Sequence, residues 1–241
     1  MIPLLAPGAP FPSVDRALHQ PDGLLAAGGD LSVETLTRAY RQGIFPWFSD
    51  DDPILWWAPA QRMVLPTDEF HLSRTLRQIL RRGVFSVTID EAFDDVLRGC
   101  AAARAGQDGT WLSDDMQTAY RALKAAGHAH SVEVWCDGAL AGGLYVVSVG
   151  QLVCGESMFS RRTNASKVAL AWLTAQCRRW GVPLIDCQLH TEHLASLGAR
   201  LVPRHTFSHW VSTLVVRPGP PAWRFDADLE PVAELSASPL H

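Results

Sequence analysis

The segment PLIDCQ, residues 183–188, sets a carboxylate and an amide two positions apart in an apolar run. A proline followed by Leu184 and Ile185 reads as the start of a buried strand. Side chains alternate along a strand, so Asp186 and Gln188 are expected side by side, with Ile185 and Cys187 on the other face. Burying either polar group without a partner costs ~1–3 kcal/mol, more for the charge. On these residues alone the pair has two readings. Either the amide NH2 satisfies the carboxylate and the pair is structural, as most buried polar pairs are, or the polar face borders a cleft and acts on a substrate.

Other segments carry chemistry of the same kind. In GESMFSRRTNASK, Glu156 lies between a strand and a helix. A surface carboxylate there would favour the helix N-terminus, but the flanking Met158 and Phe159 argue against plain exposure, and a carboxylate so placed can hold a substrate ammonium. The helix entrance with Asn164, Ser166 and Lys167 suits a phosphate or an oxyanion. RRTNASK has no glycine, which counts against the pyrophosphate loop of a coenzyme A-dependent acyltransferase and leaves the acyl donor open. In HLSRTLRQILRRG, Arg74, Arg77 and Arg81 follow i, i+3, i+7 and form one helical stripe, with Arg82 on the neighbouring face. Such a stripe is either a solvated face or a track for phosphates. Trp47 and Trp111 follow glycine-bearing turns in GIFPWF and DGTWLSDD. Tryptophans of this sort are packing anchors or platforms for a nucleobase.

The scaffold for these residues reads in two parts. Residues 1–60 are rich in Pro, Gly and Trp, with one short helix in DLSVETLTRAYRQG that Asp30 or Ser32 can cap. Residues 61–216 alternate strands and helices: a helix from cap Ser73 to stop Gly83, a strand in VFSVTID, helices in EAFDDVLRGCAAA and DDMQTAYRALKAAG, and three strands joined by DG and a turn at Gly150. A long apolar helix in NASKVALAWLTAQCRRWG, the PLIDCQL strand and a short helix in TEHLASLGA complete it. The order predicts an α/β (α+β) fold, a small N-terminal domain on an N-acetyltransferase-like domain with a mixed, largely antiparallel sheet. Residues 217–241, Pro-rich at their start, are expected to form an extended tail.

Composition narrows the class. The chain of 241 residues is 47% hydrophobic and 19% charged, which is globular rather than disordered. A net charge of -4 does not announce nucleic acid, though a local basic face is compatible with it. No apolar run approaches the roughly 18–20 residues of a membrane span, and MIPLLAPGAP lacks the basic start of a signal peptide. Five cysteines without a CxxC read as reduced cytosolic thiols, not as a disulfide frame or a zinc site.

The segments GLLAAGGDLS, YRQGIFPWFSDDDPILWWAP, GTWL, GHAHSVEVW, CGESMFS, NASK and LIDCQ span residues 23–199. Together, in this order, they resemble the leucyl/phenylalanyl-tRNA–protein transferases. The resemblance implies a cytosolic, cofactor-free, metal-free and monomeric enzyme. It would move Leu or Phe, and Met less well, from aminoacyl-tRNA to a protein's N-terminal Arg or Lys, marking that protein for degradation. It also implies roles: Asp186 and Gln188 as the catalytic pair, Glu156 near the aminoacyl group, Trp47 and Trp111 around the terminal adenosine, and Arg74, Arg77, Arg81 and Arg82 on the tRNA. Tyr40 and Ser157 join the substrate-binding set. The donor's side chain is expected among Leu144, Val153, Met158, Leu170 and Ile185. Leu144 and Val153 stand where other members carry Met and Phe, which predicts a roomier pocket. TEH follows the DCQ strand where another member reads NDH.

Overall fold

A computed structural model describes residues 2–49, 51–102 and 112–237. The chain opens with β1 (Leu4–Leu5) and β2 (Leu24–Gly28), which pair in parallel. Helix α1 (Val33–Tyr40) is capped by Ser32, whose Oγ accepts from the Thr35 N–H. Asp30 braces that cap instead of forming it, accepting from the Ser32 N–H at 2.9 Å and the Gly8 N–H at 2.7 Å. Strands β3 (Phe45–Pro46) and β4 (Leu55–Trp57) complete a four-stranded sheet in the order β1-β2-β4-β3. Strands of two to five residues are too short to show the alternation that reveals a strand in sequence, so only the helix is legible there.

From β5 (Gln61–Pro66) the chain enters a seven-stranded sheet. Helix α2 (Arg74–Arg82) runs from Ser73, whose Oγ accepts from the Leu76 N–H, to Gly83 at φ 61°. Then come β6 (Ser86–Ile89), α3 (Phe93–Ala102), α4 (Asp114–Ala125) and the meander β7 (Ala129–Cys136), β8 (Ala139–Val149) and β9 (Leu152–Ser160). Helix α5 (Ala165–Arg179), β10 (Leu184–Gln188), α6 (Glu192–Ala195), β11 (Arg200–Pro203) and α7 (Arg204–Leu214) follow. The strand order is β11-β5-β10-β9-β8-β7-β6. Every neighbouring pair is antiparallel except β9 and β10, since α5 is the crossover that lets two successive strands run the same way. The fold is therefore the mixed α/β architecture that the pattern predicts, with a small N-terminal unit and a largely antiparallel main sheet.

Alternation along β8 divides the core. Leu144 and Val146 join the apolar cluster with α5, whereas Tyr145 and Val147 face α3, α4 and the N-terminal unit. Helix α5 is apolar nearly all round because it lies between the sheet and helices α2 and α8 (Pro231–Ser236). That last helix revises the expectation of an extended tail. Pro231 suits its first turn and Leu235 packs into the α5 cluster, while Arg179 binds Asp226, Asp228 and Glu234. No helix among the described residues is long and apolar enough to cross a membrane.

Candidate functional site

The parallel ladder of β9 and β10 pairs Val153 with Ile185 and Cys154 with Asp186. Immediately beyond, both strands bulge. Against β8 the register slips between Gly155 and Ser157, leaving Glu156 as the extra residue. Against β5 it slips between Asp186 and Gln188, leaving Cys187 as the extra residue. A bulge bends a strand and re-aims its side chains. Gln188 completes the turn at φ 60°, with the Leu189 N–H donating to the Cys187 carbonyl at 2.8 Å. A non-glycine residue in this backbone region is strained and is held there by its surroundings.

The two bulges bring Glu156 and Gln188 together. Gln188 Nε2 donates to Glu156 Oε1 at 3.0 Å, and the Tyr120 hydroxyl donates to Glu156 Oε2 at 2.8 Å. The Tyr40 hydroxyl lies 3.2 Å from that of Tyr120. Glu156 is buried, and burial pushes its carboxyl up to about 7, against the two tyrosine hydrogen bonds that favour the anion. Burial also pushes Tyr120 well up, helped by the Glu156 charge, so Tyr120 stays a hydrogen-bond donor.

Asp186 sits differently from the expectation. Its side chain is fully buried and takes a forked ion pair from Arg62, Nε to Oδ1 and Nη2 to Oδ2, both at 2.7 Å. Gln188 reaches Asp186 through its main-chain N–H, 3.0 Å from Oδ1, and not through its amide. The strict alternation assumed for PLIDCQ fails at the bulge, which turns the Gln188 side chain toward Glu156. Arg62 was missed in sequence; the signal was a charged residue in the apolar run QRMVLP, which demanded a buried partner.

A cleft of about 360 Å³ opens beside Glu156 and Gln188. Leu144, Met158, Leu170 and Ile185 line it, joined by Val146 and Leu173. Ser157 lines it too, with its buried Oγ unpartnered among the described residues. Val153 is packed in the core and is not among the walls, which removes the reason to expect extra room from its small size. Tyr40 stands behind Glu156, outside the cleft. Trp47 is 44% exposed at the mouth. It is braced by Trp57, whose Nε1 donates to the Trp47 carbonyl at 2.6 Å and whose ring meets it edge-on. Trp111 lies outside the described residues. At the entrance to α5 the Ser166 N–H is already taken by Ser160 Oγ at 2.9 Å.

Arg74, Arg81 and Arg82 are exposed on α2 and Arg77 is half-buried. Among the described residues none of these four side chains has an ion pair or a hydrogen bond.

A polar head over an apolar floor suits an enzyme that grips an acyl group by its side chain while an amine attacks the carbonyl, an aminoacyltransferase. The family model described as leucyl/phenylalanyl-tRNA protein transferase matches residues 64–212, and that of the family's N-terminal domain matches residues 29–60. The chain belongs to the leucyl/phenylalanyl-tRNA–protein transferase family. It is 54% identical over 220 residues to the transferase of Chromobacterium violaceum, covering 91% of this chain and 94% of that one. It is also 54% identical over 232 residues to that of Bordetella petrii, covering 92% and 91%. Among solved structures it is similar to FemX, with TM-score 0.46 and 12% identity over 70% of this chain and 66% of that one.

Proposed function

We propose that this cleft transfers Leu or Phe, and Met less well, from aminoacyl-tRNA to the α-amine of an N-terminal Arg or Lys, as a monomer in the cytoplasm, marking the acceptor for degradation. The donor's side chain occupies the apolar floor formed by Leu144, Val146, Met158, Leu170, Leu173 and Ile185. Trp47 stacks on the terminal adenosine. Arg74, Arg77, Arg81 and Arg82 meet tRNA phosphates.

The ester is already activated, so the chemistry needs orientation more than activation. The acceptor α-amine, with a pKa of ~7.7–8.0, is partly neutral at pH 7. Its nitrogen attacks the ester carbonyl, the amide bond forms and the bond to the ribose oxygen breaks. The amine gives up one proton and the departing ribose oxygen gains one. Gln188 aligns the amine with its amide oxygen, which is free for this because Glu156 takes the amide NH2. That hydrogen bond is the observation that carries the reading. Asp186 is engaged elsewhere, its two oxygens held in the fork from Arg62. Glu156, with its carboxyl near neutrality, is the protein group placed to take the proton.

Incubation with radiolabelled Phe-tRNA and a peptide beginning with Arg tests this. Label should move to that peptide and not to one beginning with Ala. Absence of labelled Arg-peptide would overturn the reading.

A further inference from the structure

Arg62 lies in none of the walls of the cleft, yet two of the elements that build it, β10 and β3, meet at its guanidinium together with α7. Two N–H groups form the fork to Asp186 at the β10 bulge. The Phe45 ring, from the N-terminal sheet, lies 4.6 Å from the guanidinium carbon, and the Phe207 ring, from α7, lies 4.7 Å from it. Phe45 is itself a wall of the cleft, two residues before Trp47. The third terminal group, Nη1, is buried without a partner among the described residues.

We propose that Arg62 is a positioning residue for the transfer reaction: it clamps Asp186 so that Gln188 keeps its turned backbone, and it seats Phe45 as the cleft wall on the N-terminal side. The link to Gln188 is short. Arg62 holds Asp186 Oδ1, and Oδ1 accepts the Gln188 N–H at 3.0 Å. Gln188 at φ 60° then points its amide at Glu156. Without the clamp, Asp186 turns toward any other donor and the strained Gln188 backbone relaxes. Stability alone is a weak reason for the arrangement. A buried ion pair is commonly no more stabilising than an apolar pair of the same shape, and the idle Nη1 adds a desolvation cost. A planar fork that also stacks between two rings fixes direction in a way that lysine cannot.

The inference rests on the transfer activity proposed above, so wild-type labelling of the Arg-peptide is measured first; its failure would sink that activity and not the clamp. With wild type active, Arg62→Lys keeps the charge but loses the fork. The double variant Arg62→Met/Asp186→Leu removes both buried charges and restores packing. Each should fold with thermal unfolding near that of wild type and show kcat lowered by about 10²-fold, the scale of a 1 Å misplacement. KM for Phe-tRNA should change less than about threefold, since the groups that hold the donor remain. Wild-type kcat in either folded variant would overturn the proposal. Failure of both variants to fold would overturn it as well, because the pair would then serve stability alone.

Discussion

Gln188 Nε2 and Glu156 Oε1 meet at 3.0 Å across the gap where β9 and β10 part. This contact decides which way the Gln188 amide faces. With its NH2 engaged by a carboxylate, the oxygen is left for the cleft. Each of the two residues belongs to a bulged strand, so the contact depends on both bulges at once.

Gln188→Ala should therefore lower kcat by roughly 10–100-fold while leaving aminoacyl-tRNA affinity nearly unchanged, because the amide matters mainly as the amine attacks. Single-turnover transfer and equilibrium tRNA binding, measured side by side, separate the two. A loss confined to binding would place Gln188 on the donor and not on the amine.

Glu156 makes stability depend on pH. Its folded-state value of about 7 lies above the ordinary 4.5, so the folded protein holds this proton more tightly than the unfolded chain does. Below pH 4.5 both states are protonated and the group is neutral to stability. Stability then falls as pH rises from about 4.5 to about 7, and levels off above, with a total on the order of 3 kcal/mol. Glu156→Gln removes that slope. Urea unfolding of both proteins between pH 5 and 8 should show wild type losing ground to the variant as pH rises. Parallel profiles would mean that the carboxyl titrates normally.

The arginines of α2 should act on tRNA and not on the chemistry. Arg77→Ala and Arg81→Ala should each weaken tRNA binding and reduce its log–log salt dependence by roughly one. Transfer from aminoacyl-adenosine, a donor without the tRNA body, should proceed as in wild type. An equal loss with both donors would mean that the helix only supports the fold.

Donor choice should follow the floor of the cleft. Met158 can adapt to Leu, Met and Phe, whereas β-branched Ile is stiff at χ1 and carries its bulk against the ester carbonyl. Leu-tRNA should outcompete Ile-tRNA for one Arg-peptide. Leu173→Phe, which fills the floor, should lower transfer of Phe more than of Leu, by about 1–3 kcal/mol of discrimination. Unchanged Phe-to-Leu ratios in that variant would place the donor's side chain elsewhere.

Much of the scaffold was legible because its causes are local. Ser73 and Gly83 bracket α2 as a cap and a left-handed stop, and the arginine stripe follows from helical spacing alone. The hairpin turns and the long apolar α5 announce themselves in the same way, as does the succession CGESMFS, NASK, LIDCQ that carries the family resemblance. What the sequence left open was which polar group meets which. Arg62 and Asp186 are 124 residues apart, Tyr40 and Tyr120 are 80 apart, and Glu156 and Gln188 are 32 apart. A rule of alternate faces holds only while a strand stays regular, and β10 is irregular where it matters. Asp186 and Gln188 share a strand yet part company because pairing with β5 on one side and β9 on the other forces an extra residue between them. Strand pairing across the sheet, not the spacing of the two residues, therefore sends the carboxylate to Arg62 and the amide to Glu156.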